Sequence, residues 1–123
     1  LTRDRIVYIM YIQMKEIDFS GVTGFQRDEG NLGKNWEKHG VSAGECEEVF
    51  FNEPFFACFD ERHSFTENRY FILGETNENR RLFIVFTVRE TMIRVISARD
   101  MHRNERKEYE KLKKGAEVQE RER

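Results

Sequence analysis

"RLFIVFTV", Arg81–Val88, carries apolar side chains on both of its faces. Leu82, Ile84, Phe86 and Val88 alternate onto one side, Phe83 and Val85 onto the other. A strand that is apolar on both faces is covered on both, so this stretch predicts a central strand. Working outward, "ETNENR" (Glu75–Arg80) supplies a turn back to "RYFIL" (Arg69–Leu73), and Arg89–Thr91 closes a tighter hairpin into "MIRVIS" (Met92–Ser97). "FFACF" (Phe55–Phe59) precedes them with the same aromatic and β-branched texture. Three consecutive hairpin-linked strands make a mainly antiparallel sheet. With an early strand near Ile17–Phe25, two N-terminal helices and one C-terminal helix, the fold class is α+β.

The helices are read from their punctuation. Asp28 suits the N-cap of a helix carrying Leu32, Trp36 and His39 at apolar spacing, and Gly40 suits the left-handed position past its end. Gly30 and Gly33 weaken that helix by about 1 kcal/mol each relative to alanine. Ser42-Ala43-Gly44-Glu45 is a capping box that starts the second helix, with Val49 and Phe50 as its apolar side. From Asp100 onward, Met101, Tyr109 and Leu112 give a helix a thin apolar stripe. The expected organisation is an extension over residues 1–13, one domain over 14–114, and a frayed charged tail over 115–123.

Charged residues make up 36% of the chain, and 21 Lys+Arg against 23 Asp+Glu leave a net charge of −2. This balance excludes a generally basic nucleic-acid coat while leaving room for a local cationic site. Two cysteines, Cys46 and Cys58, read as small buried side chains in a reducing compartment. The apolar run near the start is interrupted by Tyr8, Tyr11 and Gln13, and no small-residue cleavage site follows. The expectation is a cytoplasmic protein without a membrane span. Asp60 and His63 flank a loop, but two ligands make no metal site, so neither metal nor cofactor is expected.

Candidate chemistry lies in the cations. Arg27, Asn31, Asn35 and Lys38 are spaced four, four and three, which lines them along one polar helix edge, with His39 beside its end. Lys38 also has an ordinary explanation, since cations in a last helical turn complement the macrodipole by about 0.3–1 kcal/mol each. For His39, on the Leu32/Trp36 side, a partly buried structural role comes ahead of a catalytic one. In "MIRVISAR" alternation points Arg94 with Ile96 and away from Val95, and an arginine within an apolar strand needs a cleft or an anionic partner. Arg99 lies just past the expected strand end, and Arg69 opens an earlier strand.

Taken together, several segments resemble the BrnT-type toxin family. They are Phe25 and Asp28; Asn35 with Lys38–Ser42 ("KHGVS"); Val49-Phe50; Asp60, His63-Ser64, Glu67 and Arg69; Gly74; Arg81–Arg89; and "IRVISAR" (Ile93–Arg99) followed by Glu105-Arg106 and Tyr109-Glu110. The resemblance spans Phe25 to Glu110. It implies a RelE-like ribonuclease fold and the toxin half of a bacterial type II toxin–antitoxin pair. The implied partners are an RNA substrate and a ribbon-helix-helix antitoxin, with operator DNA reached only through the antitoxin and the toxin a dimer within a heterotetramer. It implies a metal-independent endoribonuclease with His39 in acid–base work, Lys38, Arg94 and Arg99 on phosphate, and Arg27, Asn35 and Arg69 on RNA. The family pattern has Trp where Arg27 stands and Lys where Asn31 stands. Arg27 is therefore expected to replace that lysine in part, within the same stripe, and the alternative is a catalytically weakened module that binds the antitoxin and supports promoter autoregulation.

Overall fold

The computed structural model describes residues 19–60 and 67–121, with side chains described through Val118. Five strands, β1 (Gly24–Phe25), β2 (Phe56–Phe59), β3 (Arg69–Glu75), β4 (Arg81–Arg89) and β5 (Met92–Asp100), form one sheet in the order β1-β5-β4-β3-β2. Every pairing is antiparallel except β1 with β5. The helices are α1 (Glu29–His39), α2 (Ala43–Phe51) and α3 (Arg103–Arg121). The α+β class and the central place of β4 are as its two apolar faces predict. Among the described residues of the early strand, only Gly24–Phe25 forms; residues 17–18 and the 1–13 extension lie outside the described residues. The helical tail runs on through Gly115 to Arg121, beyond the expected domain end.

Two cores explain the pattern of β4. Leu82, Ile84 and Phe86 pack with Ile72, Ala98, Val41, Cys46 and Val49 beneath the α1–α2 corner. Phe83 and Val85 face the other side, where Phe71, Leu73, Cys58 and Phe56 meet Met101, Tyr109 and Leu112 from the α3 end. Aromatic rings supply much of the first core: Phe86 contacts Phe50 edge-on at 5.0 Å and stacks with Tyr70 at 5.4 Å. Gly74 lets α2 approach, since a Cβ there would fall 2.6 Å from Val49 Cγ1. Cys46 and Cys58 are buried free thiols; burial pushes Cys46 up to about 12 and raises Cys58 as well, so neither is a reactive thiolate.

The helix punctuation forms as read. Asp28 accepts from Asn31 N–H, Gly40 is left-handed at φ 61°, and Ser42 and Glu45 close the capping box. The burial of α1 is different. Trp36 is 62% exposed, whereas Asn35 is 2% exposed. The reason lies in β5, which has β1 beside it only at Met92 and Ile93. Past that point its outer edge carries backbone groups that need partners. Asn31 Nδ2 donates to Val95 O at 3.3 Å, and Asn35 Oδ1 accepts from Ala98 N at 3.2 Å. The amide stripe of α1, not its apolar stripe, therefore lies against the sheet edge.

Candidate functional site

β5 is not a regular strand. Val95 faces Phe86 and Ser97 faces Val85, so Ile96 has no opposite number and forms a bulge. Arg99 stands five positions after Arg94, an odd offset that puts them on opposite faces of an unbroken strand. The extra residue restores the parity. Arg94 is opposite Thr87 and Arg99 opposite Phe83, so both point to the face that carries Phe83 and Val85. Arg69 is also opposite Thr87, from β3, so Arg69, Thr87 and Arg94 make one row across three strands of that face. α3 packs over the Phe56, Phe71 and Leu73 part of this face and leaves Phe83, Val85 and Ser97 partly exposed.

Each of the arginines has a carboxylate neighbour. Arg94 Nη2 donates to Asp28 Oδ2, tying the N-cap of α1 to β5. The Arg94 hydrogen bond and the Asn31 N–H hold the Asp28 carboxyl below its usual range. Arg99 forks onto Glu105 at 2.7 and 2.9 Å and lies over the Phe83 ring at 4.3 Å. Burial pushes the Glu105 carboxyl up, but Arg99 and the His102 N–H outweigh it and the net shift is downward. Arg89 pairs with Glu67 at 3.1 Å; that hydrogen bond lowers the Glu67 carboxyl, and the nearby charges of Arg94 and Arg69 add to it.

The two flanks of α1 separate Lys38 from His39. Leu32 lines a small recess with Ala43, Cys46 and Glu47, so its flank looks toward α2. His39 is seven residues on, along the same stripe. Its charge reaches Asp100, whose carboxyl is held low chiefly by hydrogen bonds from Arg80. Lys38 is exposed and three residues beyond Asn35, on the flank opposite Leu32. The expected corner of adjacent Lys38 and His39 is thus divided between two flanks of the helix, both side chains being exposed. The arginines line one face over the length of β5; they do not converge on a point.

Two expected RNA contacts meet partners within the protein. Asn35 is buried and its carbonyl accepts from Ala98 N–H, a structural tie at the β5 edge. Arg27 precedes the helix and pairs with Glu47 of α2 at 3.0 Å, on the recess side. His63 lies outside the described residues. Among the described residues no cluster of His, Cys, Asp or Glu is placed to hold a metal ion, and no helix is long and apolar enough to cross a membrane.

Sequence reasoning missed Arg80, taken there as part of a turn. Its guanidinium grips Asp100 at 2.8 and 3.1 Å, Glu45 at 3.1 Å, and the carbonyls of His39 and Gly40 at 2.9 and 2.8 Å. It thereby satisfies the carbonyl end of α1 and fixes that end beside β5. Glu105 was hidden in a mixed charge run. The signal that finds it is its place three residues after His102, whose backbone N–H it accepts at 2.7 Å in half of a capping box.

No curated protein matches the chain. A crystal structure of the Brucella abortus ribonuclease toxin BrnT matches with 24% identity and a TM-score of 0.49, over 67% of this chain and 100% of that one. The family model described as "Ribonuclease toxin, BrnT, of type II toxin-antitoxin system" matches residues 28–105, which run from the N-cap of α1 to the first turn of α3. Well over half of the sequence is covered by that match, and the chain belongs to the BrnT family of ribonuclease toxins of type II toxin–antitoxin systems.

Proposed function

We propose that this chain is a cytoplasmic, metal-independent endoribonuclease that binds RNA across the Arg69–Arg94 row and the Lys38 flank of α1. The observation that carries the reading is the bulge at Ile96, which brings Arg94 and Arg99 to one face, with Arg94 in line with Arg69. Arg94 commits one hydrogen bond to Asp28 and keeps further N–H groups, so it is the cation best equipped for a phosphate. In the reaction the ribose 2′-oxygen attacks the adjacent phosphorus and the bond to the 5′-oxygen breaks, leaving a 2′,3′-cyclic phosphate and a 5′-hydroxyl. The 2′ proton passes to solvent and the leaving oxygen takes one from solvent. The protein's share is to align the strand and to stabilise the charge on the pentacoordinate phosphate. Thr87 does not supply a proton, because its hydroxyl is buried and donates to Asn68 O at 2.6 Å.

A ribbon-helix-helix antitoxin would neutralise such a face by laying an acidic segment over Arg94 and Arg69, and operator DNA would then be reached through the antitoxin alone. The test is incubation of the purified protein with single-stranded RNA in excess chelator. Cyclic-phosphate products are expected, with kcat lowered about 100-fold in Arg94→Gln, the scale of losing one group that stabilises transition-state charge. Wild-type activity in that variant would refute the assignment. The alternative reading, a weakened module that binds antitoxin and tunes repression, draws on the carboxylates already paired with Arg94 and Arg99. It predicts no cleavage together with stable complex formation with a neighbouring-gene antitoxin.

A further inference from the structure

Arg99 is placed differently from Arg94. Phe71, Phe83 and Arg99 form a stack that crosses β3, β4 and β5. The two rings lie 5.5 Å apart at 24°, and the guanidinium lies over Phe83 at 4.3 Å, from the strand on the other side of β4 from Phe71. Both Nη groups of Arg99 are taken by Glu105, and Nη1 also donates to Asp100 O at 3.1 Å. Glu105 is 3% exposed and is itself anchored by the His102 N–H. Three of the five guanidinium N–H groups are thus spent inside the protein. A quarter of the Arg99 side chain nevertheless remains exposed. With Glu105 holding the Nη1/Nη2 edge and Phe83 beneath one side, the opposite plane of the guanidinium is the side left for a ligand. Unpaired nucleobases stack on such planes, and a delocalised guanidinium offers a platform that a lysine ammonium does not.

We infer that Arg99, held by Glu105 and Phe83, is a stacking platform for one unpaired base of the RNA, leaving phosphate contact to Arg94. This rests on the ribonuclease reading and deepens it: the substrate must be single-stranded at that nucleotide, because a base paired in a duplex cannot reach the plane. Arg99 therefore selects strand state, whereas the charges of Arg94 and Lys38 serve any polyanion.

The test uses single-stranded RNA made uncleavable by 2′-O-methylation and measures binding at several salt concentrations. In the wild-type protein, a series of strands with single abasic positions is expected to contain one position where loss of the base weakens binding roughly ten-fold. In Arg99→Lys, affinity for the intact strand falls by a similar factor and the abasic position has no further effect. In Arg99→Gln, the slope of log Kd against log salt stays as in wild type. A slope reduced by about 0.7, the value for one lost phosphate contact on a single strand, overturns the platform while leaving RNA binding intact. A wild-type series with no sensitive position overturns it without recourse to any variant. A wild-type protein that binds no RNA at all overturns the ribonuclease reading itself.

Discussion

Glu105→Gln is the sharpest probe of how the arginine face is held. The carboxylate side chain is 5% exposed and its Arg99 partner 25%, so the pair is largely removed from water. Breaking a fully buried pair costs about 3–5 kcal/mol. Two features reduce that here: Arg99 keeps its bond to Asp100 O, and glutamine retains a carbonyl oxygen for the His102 N–H. The expected loss is about 2 kcal/mol, or a fall in Tm of roughly 8 °C for a domain of this size. The pH dependence has a definite sign. The folded carboxyl is lowered from 4.5, so its contribution is present above the unfolded value and is lost as pH falls through the folded one. Thermal melts of wild type and variant should differ most at neutral pH and converge in acid below 4.5. A gap that stays constant from neutral to strongly acid conditions would show that packing, and not the ion pair, accounts for the loss. No gap at neutral pH would show that Arg99 does not depend on Glu105.

The remaining predictions concern the two flanks of α1 and the bulge. His39→Ala should leave single-turnover cleavage and its pH profile as in wild type, because His39 lies on the Asp100 side; loss of one limb of the profile would return the proton transfer to His39. Deleting Ile96 leaves Val95 and Ser97 facing Phe86 and Val85 in one regular ladder with the other side chains on their own faces. The deletion variant should therefore melt cooperatively and retain RNA affinity, and selective loss of affinity would show that the bend of the bulge matters beyond its count. Asn35→Leu strips the partner from Ala98 N–H at a buried edge and should lower stability by about 1–3 kcal/mol in denaturant titration without changing the salt dependence of RNA binding.

How far the sequence spoke depended on whether a feature was local. Capping at Asp28, Ser42 and Gly40 involves partners three to five residues away, so the chain states it directly. The two-faced apolar pattern of β4 likewise announced a central strand with a core on each side. What could not be read was pairing across the fold. The exposed edge of β5 decides that the amide stripe of α1 faces inward and leaves Trp36 outside, and nothing in residues 28–40 reveals that edge. Arg80 and Glu105 gain their roles from partners on other elements, and in sequence they are two charges among many.

The site itself turns on a count. Alternation along "MIRVISAR" assigns Arg94 and Arg99 to opposite faces, and on that count alone no shared RNA surface exists. The register shift between Val85 and Phe86 reverses the assignment. One unpaired residue thus converts two unrelated surface arginines into members of a single face, and places Phe83 where it can carry one of them. A bulge changes what a strand displays without changing its composition, so the same eight residues in an unbroken ladder would pair just as well and present a different chemistry. The catalytic reading of this chain therefore depends less on which cations it contains than on where its last strand stops alternating.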